Sequence, residues 1–219
     1  MSQYDNKHHG YFGTPRREML EFIPKGVTSI LEIGCGTGAF GALVKNQYGC
    51  RYTGVELMEQ AAEIARARLD EVVVANIEKD PLPFQPGGFD CLVCNDVLEH
   101  LVDPWVALKT LTRFLKPGGY VVISLPNVRF SEVVKNLVVR KRWEYQEEGV
   151  LDRTHLRFFT ESSIRALLES AGLVVQQLHG INPINYAWRL QLLNILLFGF
   201  LSDMRYPQYG CLAQLPKTS

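Results

Sequence analysis

Five short apolar runs take turns with segments of helical periodicity as far as Leu125, and this alternation restricts the fold more than any other feature. The runs are VTSILEI (27–33), RYTGVE (51–56), EVVVAN (71–76), FDCLVCN (89–95) and YVVISL (120–125). Between them AFGALVKNQY (39–48) and MEQAAEIARARL (58–69) read as helices. So does the stretch opened by Pro104, where Trp105, Leu108, Leu111 and Leu115 keep helical spacing until LKPGG stops them. Strands that are apolar on both faces and alternate with helices require a parallel sheet covered on both sides. The pattern predicts an α/β fold with a doubly wound, Rossmann-like sheet. Such sheets bind ligands beyond the carboxyl ends of their strands, where the strand order reverses.

After Leu125 the alternation breaks. Residues 126–160 are rich in charge and aromatic side chains and too long for a plain connection. The segment 129–160 is therefore expected to be a partly helical insertion over the substrate site. A helix (161–171) closed by Gly172, a strand (173–178), a second insertion (181–204) and a last strand (209–215) complete the chain. The organisation expected is one domain over 1–219, with the ligand-binding core at 26–128.

Composition removes several function classes. The 219 residues carry 23 Lys plus Arg against 23 Asp plus Glu, so no charge excess draws the chain to nucleic acid. There is no charged-then-apolar leader, and the apolar patch Leu190–Leu201 contains Gln191 and Asn194 and falls short of the ~20 residues of a membrane span. A cytoplasmic protein, monomeric or homodimeric, is expected. The apolar patch is read as a lid packed on the domain, in preference to a membrane-resting or dimer face, because the last strand must still return to the sheet. Cys91 and Cys94 form a C-x-x-C, but a strand sends residues three apart to opposite faces, so they are read as core residues. Arg140, Lys141 and Arg142 could meet an anionic group, yet acidic Glu144, Glu147 and Glu148 follow and favour a solvated helix end.

LEIGCGTG (31–38) places three glycines between the first strand and the first helix. Glycine permits positive φ there and removes side chains that would hold a ligand away from the backbone, in front of an open helix N-terminus. From Gly34 the stretch also fits G-x-G-x-x-A, and Glu56 ends the next strand about 20 residues on, the position of a carboxylate that holds two ribose hydroxyls. By itself this pattern suits a nicotinamide cofactor or another adenosine cofactor equally well.

The segments LEIGCGTGAFGALV, YTGVEL and ANIEKDPLPFQPGGFDCLVCNDVLEHLVDPWVALKTLTRFLKPGGYVVISLPN together resemble the class I S-adenosylmethionine-dependent methyltransferases, in particular the bacterial group similar to methyltransferase types 11, 12 and 23. FD…NDVLEHL followed by LKPGG is the specific part of the likeness. It implies a mostly parallel sheet with an antiparallel last strand, S-adenosylmethionine as cofactor with S-adenosylhomocysteine as product, and a small-molecule acceptor. It further implies Gly34, Cys35 and Gly36 under the methionine end, Glu56 on the ribose, Leu57 beside the adenine, and Asn76 and Ile77 at the adenine edge. Asn76 stands where the family usually has an acidic residue. Asn95 would face the sulfonium region, and Tyr11 and Arg16, in YFGTPRREMLEFIP, would close over the cofactor.

A sulfonium already activates its methyl group, so alignment and exclusion of water come first. If the acceptor is a hydroxyl, its proton needs a base, and histidine has the suitable resting pKa. His155, in the insertion segment LDRTHLRFFT, is the catalytic candidate, as general base or substrate contact; a histidine satisfied in a joint between insertion and core is the alternative. His100 fits structural packing better. Asp96, Glu99 and His100 lie within one turn, and His155 closing over them would make a divalent-ion site, but no metal is assigned. The DRTHLRFFT insertion resembles that of methyltransferase-like proteins of cell-surface polysaccharide assembly, which suggests a sugar or lipid-linked oxygen as acceptor. A nicotinamide-dependent oxidoreductase and a catalytically silent cofactor-binding module are the competing readings.

Overall fold

A computed structural model describes residues 15–185 and 188–217. Seven strands form one sheet: β1 (Ser29–Ile33), β2 (Arg51–Glu56), β3 (Glu71–Val74), β4 (Phe89–Asn95), β5 (Leu115–Pro126), β6 (Val174–Ile181) and β7 (Gln208–Gln214). Their order is β3-β2-β1-β4-β5-β7-β6. The first five pair in parallel, whereas β7 runs antiparallel to β5 on one side and to β6 on the other. The order reverses between β1 and β4, which places the expected crevice there.

The strands are apolar on both faces because both faces are covered. On one, Leu92 and Cys94 of β4 join Leu108 and Leu111 of α3 (Pro104–Leu111) and Ile164 and Leu167 of α5 (Glu161–Ser170). On the other, Cys91 and Val93 join Phe40 and Val44 of α1 (Ala39–Tyr48), Ala65 of α2 (Glu59–Arg66) and Phe22 of a 3-10 turn (Arg17–Phe22). Cys91 and Cys94 thus belong to opposite cores as buried thiols.

Local signals fix the helix ends. Asp103 caps α3, accepting from the Val106 amide at 3.0 Å, with Pro104 at the first helical position. Thr160 and Ser163 form a capping box that starts α5. One boundary differs from the sequence expectation: the helix stops at Leu111, and the strand begins at Leu115 and includes LKPGG instead of following it. Leu115 pairs with Phe89, the next pair is Tyr120 with Cys91, and the Lys116–Gly119 stretch is accommodated as an irregularity within the strand.

The insertions contribute α4 (Ser131–Val138) and α6 (Trp188–Leu196). They meet at Arg129, whose Nε lies 2.6 Å from Asp203 Oδ2. The expectation of a lid packed on the domain fails for α6, whose apolar side chains are largely exposed. Among the described residues no helix is long and apolar enough to cross a membrane.

Candidate active site

β1 ends at Ile33, and the chain turns through Gly34, Gly36 and Gly38 at φ 69°, 53° and 74°. The Gly34 and Cys35 amides both donate to Val55 O, at 2.8 and 3.2 Å, which ties the turn to the end of β2. A Cβ on Gly34 would lie 2.6 Å from Val97 Cγ2, so the bare backbone is required by close approach as well as by φ. Gly38 leads into α1 with no side-chain cap, leaving the helix N-terminus open towards the crevice.

Glu56, the last residue of β2, links two loops. Its Oε2 accepts from the Gly36 amide (2.8 Å), and its Oε1 accepts from the Leu57 and Met58 amides (2.9 Å each). Leu57 follows with its side chain 43% exposed at the crevice end of the strand. Cys35 is buried beneath the turn. Asn76 and Ile77 come just after β3; the Asn76 carboxamide oxygen accepts from the Glu78 amide at 3.0 Å, and the Asn76 amide donates to Asp80 Oδ2 at 2.7 Å.

Asn95, at the end of β4, has both carboxamide atoms buried without a hydrogen-bond partner. An unpaired buried polar group costs roughly 1–3 kcal/mol, so this side chain is suited to a polar ligand. Next to it Asp96 adopts φ 52° and pairs with Arg16, while its Oδ1 accepts from Ser124 Oγ (2.8 Å) and Gln208 Nε2 (3.2 Å). Arg16 also donates to Glu18 Oε1 at 2.7 Å and to Ser124 Oγ at 3.2 Å. Arg16 therefore sits where the ends of β4, β5 and β7 meet. Tyr11 lies outside the described residues.

Ser124 and Gln208 escaped the sequence reading. Ser124 looks like one more residue of an apolar strand, and Gln208 reaches Asp96 only because β7 pairs Gln208 with Pro126 in antiparallel register.

The loop carrying His155 is clamped to the core. The Leu156 and Arg157 amides both donate to Glu99 O, at 2.8 and 3.0 Å, and the Arg157 guanidinium donates to Val102 O. Asp152 Oδ1 shapes the loop by accepting from the Thr154 amide (2.9 Å) and hydroxyl (2.7 Å). His155 is buried, with Nδ1 3.0 Å from Val150 O and Nε2 4.0 Å from Glu99 Oε1. His100 meets it edge to face at 4.7 Å between centroids and sets its own Nδ1 3.2 Å from Thr154 O. A carbonyl only accepts, so each neutral ring carries its hydrogen on Nδ1 and its lone pair on Nε2.

Glu99 is fully buried, neither carboxylate oxygen has a hydrogen-bond partner, and burial pushes its carboxyl up to about 8. One ligand atom from each of Glu99, His100 and His155 lies within 4.8 Å of the others. Asp96, which the sequence left open as a further member of this group, turns away into the Arg16 pair.

The chain is matched by known proteins in sequence and in fold. A family described as "Methyltransferase domain" covers residues 7–178. The chain belongs to this methyltransferase family. Similar relatives include two proteins called ubiquinone biosynthesis O-methyltransferase. The one from Thiobacillus denitrificans is 28% identical over 180 residues, covering 77% of this chain and 75% of the relative. The one from Chromobacterium violaceum is 27% identical over 191 residues, covering 78% of each. Among solved structures, an S-adenosylmethionine-dependent methyltransferase from Archaeoglobus fulgidus has a TM-score of 0.65 at 19% identity, covering 94% of both chains. One from Thermotoga maritima has a TM-score of 0.64 at 22% identity, covering 96% of this chain and 91% of its own.

The chain is an S-adenosylmethionine-dependent methyltransferase. The residues present fit that donor: both Asn95 carboxamide atoms are buried without a hydrogen-bond partner at the end of β4, beside the glycine turn that follows the paired strand β1.

Proposed function

We propose that this methyltransferase acts on a hydroxyl oxygen of a small molecule, with a lipid-linked or sugar-bearing hydroxyl as its class of acceptor. Bound S-adenosylmethionine supplies an electrophilic methyl group on a sulfonium. Gly34, Cys35 and Gly36 support its methionine end, Glu56 holds the ribose hydroxyls, Leu57, Asn76 and Ile77 border the adenine, and Asn95 faces the polar end near sulfur. Arg16, fixed by Asp96, stands over the same end, and Tyr11 belongs to the segment before it.

The observation that carries the acceptor reading is His155, buried beside Glu99 with Nδ1 committed to a backbone carbonyl. That arrangement supports Nε2 as the atom that takes the hydroxyl proton. The insertion holding His155 and the O-methyltransferase names of the relatives point the same way.

Incubation of a small-molecule extract with enzyme and deuterated-methyl cofactor, read by mass spectrometry, is expected to give a labelled ether product. His155→Gln is expected to lower kcat by about 10²–10⁴ with cofactor affinity unchanged. A labelled amine or thiol, or full activity in His155→Gln, contradicts the assignment.

The bare carboxylate of Glu99 favours a second reading, in which Glu99, His100 and His155 hold a divalent cation that acidifies the acceptor hydroxyl. Activity that collapses in EDTA and returns with added Mg²⁺, Mn²⁺ or Zn²⁺ selects this reading. Activity indifferent to EDTA selects His155 as the base.

A further inference from the structure

The second insertion leaves an apolar segment exposed. On α6, Leu192, Leu193, Ile195 and Leu196 are exposed, and Leu197 continues the spiral, its amide donating to Leu193 O at 3.0 Å. At about 100° per residue these five side chains spread over about 200° of the helix circumference. A helix packed on one surface needs an apolar stripe of about 100°, so half of this one would stay wet against a flat partner. Asn194, the polar residue among them, is turned to its own backbone: its Oδ1 accepts from the Leu201 amide at 2.8 Å.

Beyond the helix the chain forms a tip, Leu197-Phe198-Gly199-Phe200. Phe198 is 101% exposed and Phe200 69% exposed. Phe198 also adopts φ 52°, a left-handed backbone that a bulky aromatic residue avoids. The turn bears that strain while pointing the ring into solvent, the reverse of what burial would favour. One cation, Arg129, lies at the base of the tip, paired with Asp203. The Arg129 guanidinium lies 5.2 Å from the Phe200 ring centroid and donates to Phe200 O at 3.2 Å. α4 of the adjoining insertion runs on into Arg140, Lys141 and Arg142.

We propose that the tip from Leu192 to Phe200 inserts into the interfacial layer of an anionic lipid bilayer, with the Arg129 guanidinium and the basic run Arg140–Arg142 of the adjoining insertion at headgroup level. Protein interfaces carry about one hydrogen bond per 100–200 Å², and this convex apolar wedge offers almost no groups to make them. Acyl chains ask for none. With nine residues α6 is far too short to cross a bilayer, so it lies in the plane of the interface. The inference stands apart from the methyl-transfer reading, because vesicle binding is measured without cofactor or acceptor.

The test is co-sedimentation of the full chain with phosphatidylcholine vesicles containing phosphatidylglycerol, beside pure phosphatidylcholine vesicles, with light scattering in the absence of lipid. The wild type is expected to partition at least tenfold more strongly onto the anionic vesicles. Phe198→Asn is the chosen variant: asparagine suits the left-handed backbone, so it relieves strain, keeps the fold and removes the anchor. It is expected to lower partitioning at least tenfold with an unchanged or higher Tm, and Phe200→Ser is expected to do the same. Three results overturn the proposal: no binding to anionic vesicles, binding kept in both variants, or a lipid-free dimer that either substitution converts to monomer.

Discussion

Glu56→Gln tests the joint between the glycine turn and the ribose position with the smallest available change. Three amides converge on the native carboxylate, one on Oε2 from Gly36 and two on Oε1 from Leu57 and Met58. The glutamine oxygen keeps more bonds at the Oε1 position, which turns its NH₂ towards the Gly36 amide, donor against donor. Gly36 is buried and cannot turn to water instead, so one unsatisfied donor costs about 1–3 kcal/mol. For a chain of 219 residues that lowers Tm of the ligand-free protein by about 2–12 °C. Separately, the hydroxyl bonds to a charged acceptor become bonds to a neutral one. That loss of about 1–3 kcal/mol raises the Kd for S-adenosylhomocysteine roughly 5- to 150-fold. Thermal melts read the first effect and titration calorimetry the second. An unchanged Tm refutes the clamp on the turn, and an unchanged Kd refutes the ribose assignment.

Two further outcomes follow from the same strands. Glu32, buried in the middle of β1, has its carboxyl pushed from its ordinary 4.5 up to about 8, first by burial and then by the charge of Glu56. The folded state therefore keeps a proton that the unfolded state releases, and stability falls as pH rises from about 4.5 to 8, by at most about 1.4 kcal/mol per unit. Glu32→Gln is expected to flatten that slope, gaining Tm on the wild type as pH goes from 5 to 8; parallel melting curves would sink the assignment. Gly34→Ala is expected to cost about 1–2 kcal/mol from the left-handed backbone, plus the contact with Val97 Cγ2, in urea unfolding. Adding Val97→Ala should recover the contact cost and leave the backbone cost, and complete recovery contradicts a φ requirement.

The parallel part of the fold was legible because its signal is local. A strand buried on both faces has to be apolar throughout, a helix laid on it has to show a stripe, and a turn that reverses between them in five residues has to be nearly all glycine. The face argument for Cys91 and Cys94 needed only the two-residue period of a strand, and both thiols sit in opposite cores as it requires. The Arg16–Asp96–Ser124–Gln208 group was not legible, since its members are separated by up to 192 residues and meet only through the register of β7. The α6 segment was misread for a different reason. Hydrophobic content implies burial on average, but exposed apolar area is common, and nothing local distinguishes a lid from a tip that faces outward.

His155 shows how the two kinds of information combine. The sequence places it in a long insertion at the ligand end of the sheet, which is where function is usually placed but where a loop is ordinarily mobile. Yet both amides that follow it are spent on Glu99 O, and His100 reaches back to Thr154 O from the same short turn. The ring of His155 is thereby held between Val150 O of its own loop and the short turn that follows β4, the strand that also carries Asn95. For the proposed role of His155 as base, this anchoring holds the ring against the turn that follows β4 instead of leaving it to a free loop.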